Sequence, residues 1–566
     1  MKGSEAIIKC LMKEKVKHMF GILGGSIMEL YDVMHGVDES SMRHILMRHE
    51  QSAAHAAAGY ARVSGEVGVC IATSGPGATN LVTGITDAHS DSVPLIALTG
   101  QVPTTLIGND AFQEADIVGI TMPVTKHNYQ LTDARQIPRI FKEAFTIART
   151  RRPGPVLIDI PKDVQVGQAA KFEYPRTLRM SGYKPNNPKV HKKQIKNAAH
   201  TILEAERPVV IAGGGVINSN ASKELMKLVE SLNLPTATTL MGKGAIPEEH
   251  PLSLGMLGMH GRKTANLTVN DADVIIAVGC RFSDRITGDP MHFSPESTII
   301  HIDIDSAEIG KNIRADVPIV GDAREVLKTL LTTISHKKNK GKTEWNRKVE
   351  KYQKEFGLEW FDGCCPIKPQ NVMKHLNNLI DDKTIVSTEV GQNQMFAAHY
   401  LKLKKPRQWI SSGGLGTMGS GFPYAIGAKV AKKDNWVVDV AGEGSFLMSC
   451  QDLATCTIED IPVTVTILRN NYLGMVKQWQ DLFYEERRSH TYLGDKPDFV
   501  KLAESFSADG VKIEKPGEIK DALNGAKKSG NTTVIEVAVD PHEHILPMMR
   551  PGGRLNQQIE RHHLSK

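Results

Sequence analysis

The 566-residue sequence predicts an α/β protein made of three doubly wound parallel-sheet units. Three observations carry that expectation. Short apolar runs at 67–73, 155–160, 208–212, 274–279, 299–304, 384–388, 436–441, 462–468 and 533–538 alternate with helical periodicity, as parallel strands joined by crossover helices do. The length exceeds what one apolar core usually serves and fits domains of ~150–200 residues. Two lysine-rich stretches, 171–193 and 335–354, lack apolar periodicity and read as connections. The expected units are therefore 1–175, 190–335 and 365–566.

The chain opens on Lys2-Gly3-Ser4-Glu5-Ala6 and an amphipathic helix pattern, with neither a secretory apolar core nor an Arg/Ser-rich leader. Glu50 follows in Arg48-His49-Glu50-Gln51, heading a helix of small residues that runs on through Ala53, Ala54, Ala56, Ala57, Ala58 and Gly59. A glutamate at a helix start commonly only complements the helix dipole. The small residues tip the reading toward function, because such a helix can approach a neighbouring subunit or ligand closely. A carboxylate held there in low dielectric could exchange a proton with a ring nitrogen. The run 67–73 then ends on Ser74-Gly75-Pro76-Gly77-Ala78-Thr79-Asn80, a glycine-rich turn opening a helix whose free N–H groups suit an anion or a polar ring.

In the second unit, Gly213-Gly214-Gly215 follows an apolar run but lacks the third glycine of the dinucleotide fingerprint, which disfavours a hydride-transferring NAD enzyme. Arg281, Asp284, Arg285 and Asp303 stand after two further runs, where an arginine can hold a phosphate and an acid a ribose hydroxyl. Ordinary surface ion pairs would look the same. In the third unit Gly442-Glu443-Gly444-Ser445-Phe446 ends one run, and Asn470 and Tyr472 follow the next. A carboxylate, an amide and a carbonyl there suit Mg²⁺ completed by phosphate oxygens, although two plain strand-to-helix turns would also read this way. The two glycine-rich turns give the first and third units a common plan without a sequence repeat. Met418, Met475 and Trp479 fit an ordinary core, and Arg152 and Lys162 solvated strand ends, as readily as a site.

A net charge of +6, from 69 basic and 63 acidic residues, is mild and lacks the aromatic interleaving of a nucleic-acid surface; small anionic substrates fit better. No apolar run approaches the ~18 residues of a membrane span. The seven cysteines, with no Cys-x-x-Cys, read as reduced structural thiols, and the expected compartment is the cytoplasm.

In order, Arg48 to Gln51, Ser74 to Asn80, Asp110-Ala111-Phe112-Gln113-Glu114, Ile158 to Val164, Leu257 to Gly261, Arg281 to Arg285, Val390 to Gln394, Gly413 to Gly419 and Leu473 to Gln480 resemble the catalytic large subunit of acetolactate (acetohydroxyacid) synthase over nearly the whole chain. The resemblance implies domains of the thiamine-diphosphate-enzyme type: pyrimidine-binding, central FAD-binding and diphosphate/Mg-binding. It implies decarboxylation of pyruvate on thiamine diphosphate and ligation of the hydroxyethyl group to a second pyruvate or to 2-oxobutyrate, the first common step to valine, leucine and isoleucine.

Glu50 then matches the activating acid, and Phe112, Gln113 and Lys162 the substrate channel. Trp479 matches the side chain favouring 2-oxobutyrate, by a contact worth only ~1–3 kcal/mol. Pro76, Asn80, Gln392, Gly416, Met418, Gly444, Ser445 and Met475 match thiamine diphosphate contacts, and Glu443, Asn470 and the Tyr472 carbonyl match Mg²⁺ ligands. Arg152, Gly213, Gly214, Thr239, Leu240, Met259, His260, Arg281, Asp284, Arg285, Asp303, Asp322 and Ala323 match contacts to FAD, which takes no redox part. The implied assembly is a homodimer or homotetramer, with the cofactor between the first domain of one chain and the third of its neighbour, and a small regulatory subunit as a further partner. No nucleic acid or membrane is expected.

Glu443 stands where the family carries aspartate, and Arg469 where it carries asparagine or aspartate; Leu23 and Ser26 replace a proline and an alanine. Mg²⁺ tolerates little distortion, so metal affinity, and activity with it, is where the resemblance carries over least. The alternatives are another thiamine-diphosphate/FAD enzyme such as pyruvate oxidase or glyoxylate carboligase, and a catalytically impaired homologue acting as a binding partner. Glu50 argues against the carboligase, and Met475 with Trp479 against the oxidase.

Overall fold

A computed structural model describes residues 1–169, 172–334 and 343–563. Residues 171 and 335–342 of the expected connections, and the last three residues of the third expected unit, lie outside the described residues.

Three six-stranded sheets follow one another along the chain, and every strand pair in them is parallel. The first contains β1 (His18–Gly21), β2 (Arg43–Leu46), β3 (Gly68–Ala72), β4 (Leu95–Gln101), β5 (His127–Gln130) and β6 (Pro155–Pro161), in the order β2-β1-β3-β4-β6-β5. The second contains β7 (Pro208–Ala212), β8 (Thr236–Thr238), β9 (Ser253–Met256), β10 (Val274–Val278), β11 (Thr298–Asp303) and β12 (Val317–Val320), in the order β12-β11-β10-β7-β8-β9. The third contains β13 (Thr384–Thr388), β14 (Trp409–Ile410), β15 (Trp436–Ala441), β16 (Thr464–Arg469), β17 (Asp509–Ile513) and β18 (Thr533–Ala538), in the order β14-β13-β15-β16-β18-β17. The first and third sheets thus wind identically, which is the common plan the two glycine-rich turns suggested. The second has the strand order of dinucleotide-binding domains although its glycine spacing departs from their fingerprint.

Helices cover both faces, so central strands are buried throughout: every residue of β4, β6 and β13 is buried. The first and third units share one apolar core that runs from Phe20 and Ile45 through Ala53–Ala58 to Phe422, Ile426 and Val465. Its seam is the contact between the Glu50–Ser64 helix and the Gly421–Ala431 helix. A methyl added at Gly427 would lie 1.8 Å from the Ala56 carbonyl oxygen, and one at Gly59 would lie 2.4 Å from the Tyr424 oxygen. The small residues of the Glu50 helix therefore serve a close approach, and within the chain the neighbour they admit is its own third unit.

The stretch expected to connect the second and third units is in part a helix, Glu344–Glu355, capped by Thr343. Trp345 and Val349 bury against the second unit, and Trp345 Nε1 donates to the Pro208 carbonyl at 3.0 Å. Two apolar anchors in a lysine-rich segment suffice to dock it, which the search for regular periodicity overlooks. The 172–191 segment is irregular, as expected, yet Tyr174 fastens it to Glu14 at 2.7 Å. Among the described residues no helix is long and apolar enough to cross a membrane.

Candidate active site

Ligands of doubly wound sheets bind beyond the strand carboxyl ends, where the winding reverses. In the second sheet that point lies between β7 and β10, and the turns after them interlock: a methyl on Gly213 would lie 2.0 Å from the Gly279 oxygen. A cleft of about 970 Å³ opens there, toward the third unit. Twelve of the thirteen residues expected to touch FAD, all but Gly213, line it. Its walls carry cationic groups from Arg281 and Arg285 and acids from Asp303 and Asp322, and its size is within reach of a dinucleotide. Burial pushes the Asp303 carboxyl up to about 6 and the His260 ring down to about 4. Arg152 donates to Glu308 at 2.8 Å and to the Ser92 hydroxyl at 2.8 Å.

In the third sheet the reversal lies between β13 and β15, and a smaller cavity of about 100 Å³ sits there. Gln392, Met418, Glu443, Gly444, Ser445, Asn470, Tyr472 and Met475 all line it. Met418 and Met475 also line the large cleft and, with Val390, Gly391 and Val476, form the wall between the cavities; Gly416 and Trp479 face the cleft. Glu443 is only 4 % exposed. Burial drives its carboxyl up to about 7, against neighbouring backbone N–H groups and the charge of Arg469. Its Oε1 has no hydrogen-bond partner. A buried carboxylate oxygen without a partner, next to an asparagine amide and a main-chain carbonyl, is a donor set for a hard dication.

Arg469 is held off this cavity by Glu536, with Nη1 and the carboxylate 2.7 Å apart and the two side chains 11 % and 2 % exposed. Its Nε donates to Asn471 Oδ1 at 3.0 Å. The cation that departs from the family pattern is thus neutralised by an acid on β18.

The first unit supplies a separate group. Glu50 is the first residue of its helix, half-buried, and its carboxylate accepts from Asn80 Nδ2 at 3.0 Å; Pro76 opens the short helix that ends at Asn80. Phe112 is 88 % exposed and Lys162 is exposed too. None of Glu50, Pro76, Asn80, Phe112, Gln113 and Lys162 lines either cavity. The chain therefore gathers its expected site residues into two sets, one on the first unit and one on the second and third, joined by Arg152 of the first.

The segment carrying Glu50 is nevertheless gripped by the third unit. Asp452, fully buried, accepts from the Arg48 N–H at 2.8 Å, and Thr455 donates to the Leu46 carbonyl at 2.9 Å. Asp87 of the first unit, also fully buried, accepts from Thr417 Oγ1 at 3.3 Å and from the Ser412 and Tyr424 hydroxyls. Sequence reasoning misses Asp452 and Asp87, and also Gln478, which accepts from Gln392 at 2.8 Å, and Glu543, which lines the smaller cavity and accepts from Gln370 at 2.7 Å. Each is a polar residue whose partner lies tens to hundreds of positions away, and only the burial of a charged or amide side chain marks it.

Three family profiles match in chain order: the N-terminal TPP-binding domain of thiamine pyrophosphate enzymes over residues 1–120, their central domain over 195–330 and their C-terminal TPP-binding domain over 389–537. The chain is 55 % identical to a probable acetolactate synthase large subunit of Methanocaldococcus jannaschii, covering 99 % of this chain and 95 % of the other. It is 45 % identical to the acetolactate synthase isozyme 3 large subunit of Escherichia coli, over 98 % of each. An acetolactate synthase of Mycobacterium bovis is 46 % identical over 99 % of this chain and 91 % of its own.

Proposed function

The chain belongs to the acetolactate synthase large subunits among the thiamine pyrophosphate enzymes, and from that premise we propose that it decarboxylates pyruvate and joins the two-carbon unit to a second pyruvate or to 2-oxobutyrate. The products are 2-acetolactate and 2-aceto-2-hydroxybutyrate. The observation that carries the reading is the buried, unpartnered Glu443 oxygen in the cavity where the third sheet reverses, walled by Met418. Thiamine diphosphate, when bound, supplies the electron sink for decarboxylation.

The chain's own residues do the rest. Glu443, Asn470 and the Tyr472 carbonyl hold Mg²⁺, which neutralises the diphosphate, while Gly444 and Ser445 let the backbone approach it. Glu50, kept in place by Asn80, moves a proton at the pyrimidine ring. Met418 and Met475 exclude water between the two cavities. Lys162 and Gln113, with Phe112, guide the anionic substrate inward, and Trp479 contacts the extra methyl of 2-oxobutyrate. FAD occupies the large cleft as a structural group. That Glu50 lines neither cavity of its own chain supports its being supplied by a second copy, in a homodimer or a pair of such dimers. The relatives' description as large subunits supports a small regulatory partner, and the protein works in the cytoplasm. The functional domains are 1–175, 190–335 and 365–566.

The test is pyruvate conversion by purified protein with thiamine diphosphate, Mg²⁺ and FAD. Acetolactate is expected, and Glu50→Ala should remove nearly all of it. Phosphate-dependent oxygen consumption instead of acetolactate would overturn the reading in favour of an oxidase.

A further inference from the structure

We infer that Gln478 is a positioning residue that, through Gln392, braces the NH2 end of the Asn470 amide so that its oxygen stays turned to the metal. This rests on the proposal that Glu443 and Asn470 hold Mg²⁺. The argument is one of donors and acceptors. The two ends of an asparagine or glutamine amide look alike, so its orientation must come from partners whose roles are fixed. Main-chain groups fix each amide in turn: Ile545 at Gln478, the Glu543 carbonyl at Gln392, which accepts from Nε2 at 3.3 Å, and the Tyr472 N–H at Asn470. The Ile545 N–H donates to Gln478 Oε1 at 2.9 Å, and its carbonyl accepts from Gln478 Nε2 at 3.0 Å, which leaves Gln478 one orientation.

Gln478 Oε1 also accepts from Gln392 Nε2 at 2.8 Å. Gln392 must then turn its own Oε1 the other way, where it accepts from Asn470 Nδ2 at 3.2 Å. At its other end Asn470 Oδ1 accepts from the Tyr472 N–H at 3.0 Å, so a main-chain donor and the glutamine pair hold the amide in the same orientation from two sides. A flipped Asn470 would present NH2 to a cation and repel it. The Tyr472 N–H thus sets the Asn470 polarity, and the two buried glutamines, tied to the Ile545 peptide, keep the amide from swinging away from it.

Burial and packing guard the relay. Gln478 is fully buried and Gln392 is 7 % exposed, so water does not compete for these bonds. A methyl at Gly474 would lie 2.3 Å from Gln392 Oε1 and 2.7 Å from Asn470 Nδ2, so only glycine leaves room for that bond.

The experiment is a Mn²⁺ titration followed by electron paramagnetic resonance, with thiamine diphosphate present, on full-length wild type, Glu443→Gln, Gln478→Met and Gln478→Glu. An unfolding midpoint is recorded for each. Gln478→Met fills the space without a donor or acceptor and should weaken Mn²⁺ binding about tenfold, the scale of one hydrogen bond. Gln478→Glu, protonated in so buried a place, can still accept from Ile545 and Gln392 and donate to the Ile545 carbonyl, and should restore binding to within about threefold. Should Gln478→Met fail to fold, Gly474→Ala takes its place, with the same loss expected. Wild-type affinity in Gln478→Met, or equal losses in Gln478→Met and Gln478→Glu, overturns the relay. Equal binding by wild type and Glu443→Gln overturns the metal site itself, and the relay with it.

Discussion

Gly427→Ala tests the seam between the first and third units. The added carbon would stand 1.8 Å from the Ala56 carbonyl oxygen, 2.7 Å from the Ala56 carbonyl carbon and 2.8 Å from the Tyr60 nitrogen, all main-chain atoms that no rotamer can move aside. Carbon and oxygen settle at about 3.3 Å, so the helices must part by about 1.5 Å. Overpacking of that kind costs about 1–3 kcal/mol. Alanine returns up to ~1 kcal/mol of helix propensity, so the expected outcome is a net loss of about 1–2 kcal/mol. Gly525, in the Ile519–Ser529 helix, has nothing within 4 Å of a new methyl, and the same substitution there should stabilise by about 1 kcal/mol. The assay compares urea midpoints of the two variants and of Gly59→Ala. The double variant Gly59→Ala/Gly427→Ala should lose less than the sum, because one separation relieves both contacts. An upward shift for Gly427→Ala, matching Gly525→Ala, refutes the close approach.

Asp452→Ala should cost about 1–3 kcal/mol through the lost bonds to Arg48 and Thr455, and lower the acetolactate rate by ~10²-fold as Glu50 shifts. Asp452→Asn keeps an acceptor for the Arg48 N–H and should retain most of the rate; a stability loss without a rate loss in Asp452→Ala would refute the positioning. His44, bonded to the Tyr31 hydroxyl at 2.8 Å, is pushed by burial from 6.5 down to about 4. Since its folded value lies below the unfolded one, its contribution is complete above pH 6.5 and is lost as pH falls toward 4, by about 3 kcal/mol. His44→Gln should flatten that acid limb by about one proton in pH-dependent unfolding. Gly213→Ala, which drives a methyl into the Gly279 oxygen, should abolish the flavin absorbance of protein purified in the presence of FAD while leaving residues outside the second unit folded.

The strands legible from sequence are those buried on both faces. Pro208–Ala212, Thr384–Thr388, Trp436–Ala441 and Thr533–Ala538 begin and end where their apolar runs do. The outer strand His127–Gln130 has no apolar pair to announce it, because its residues are exposed or half-buried. Leu95–Gln101 is fully buried too, but its apolar run is only Leu95–Leu98 before Thr99, Gly100 and Gln101, which makes it a weak signal. The glycine-rich turns fall where two sheets reverse, because backbone approach leaves a compositional trace. Gln478 and Asp452 leave none: their importance lies in bonds to main-chain atoms of Ile545 and Arg48, and a main-chain partner can carry any side chain.

Arg469 and Glu536 constrain the order in which their codons can change. Either alone would be a buried charge without a counterion, and breaking such a pair by removing one member costs about 3–5 kcal/mol. Replacing Arg469 by asparagine would strand Glu536, and losing Glu536 first would release a guanidinium beside the buried Glu443 carboxylate. Changing either position alone therefore passes through a destabilised intermediate, which couples the two codons.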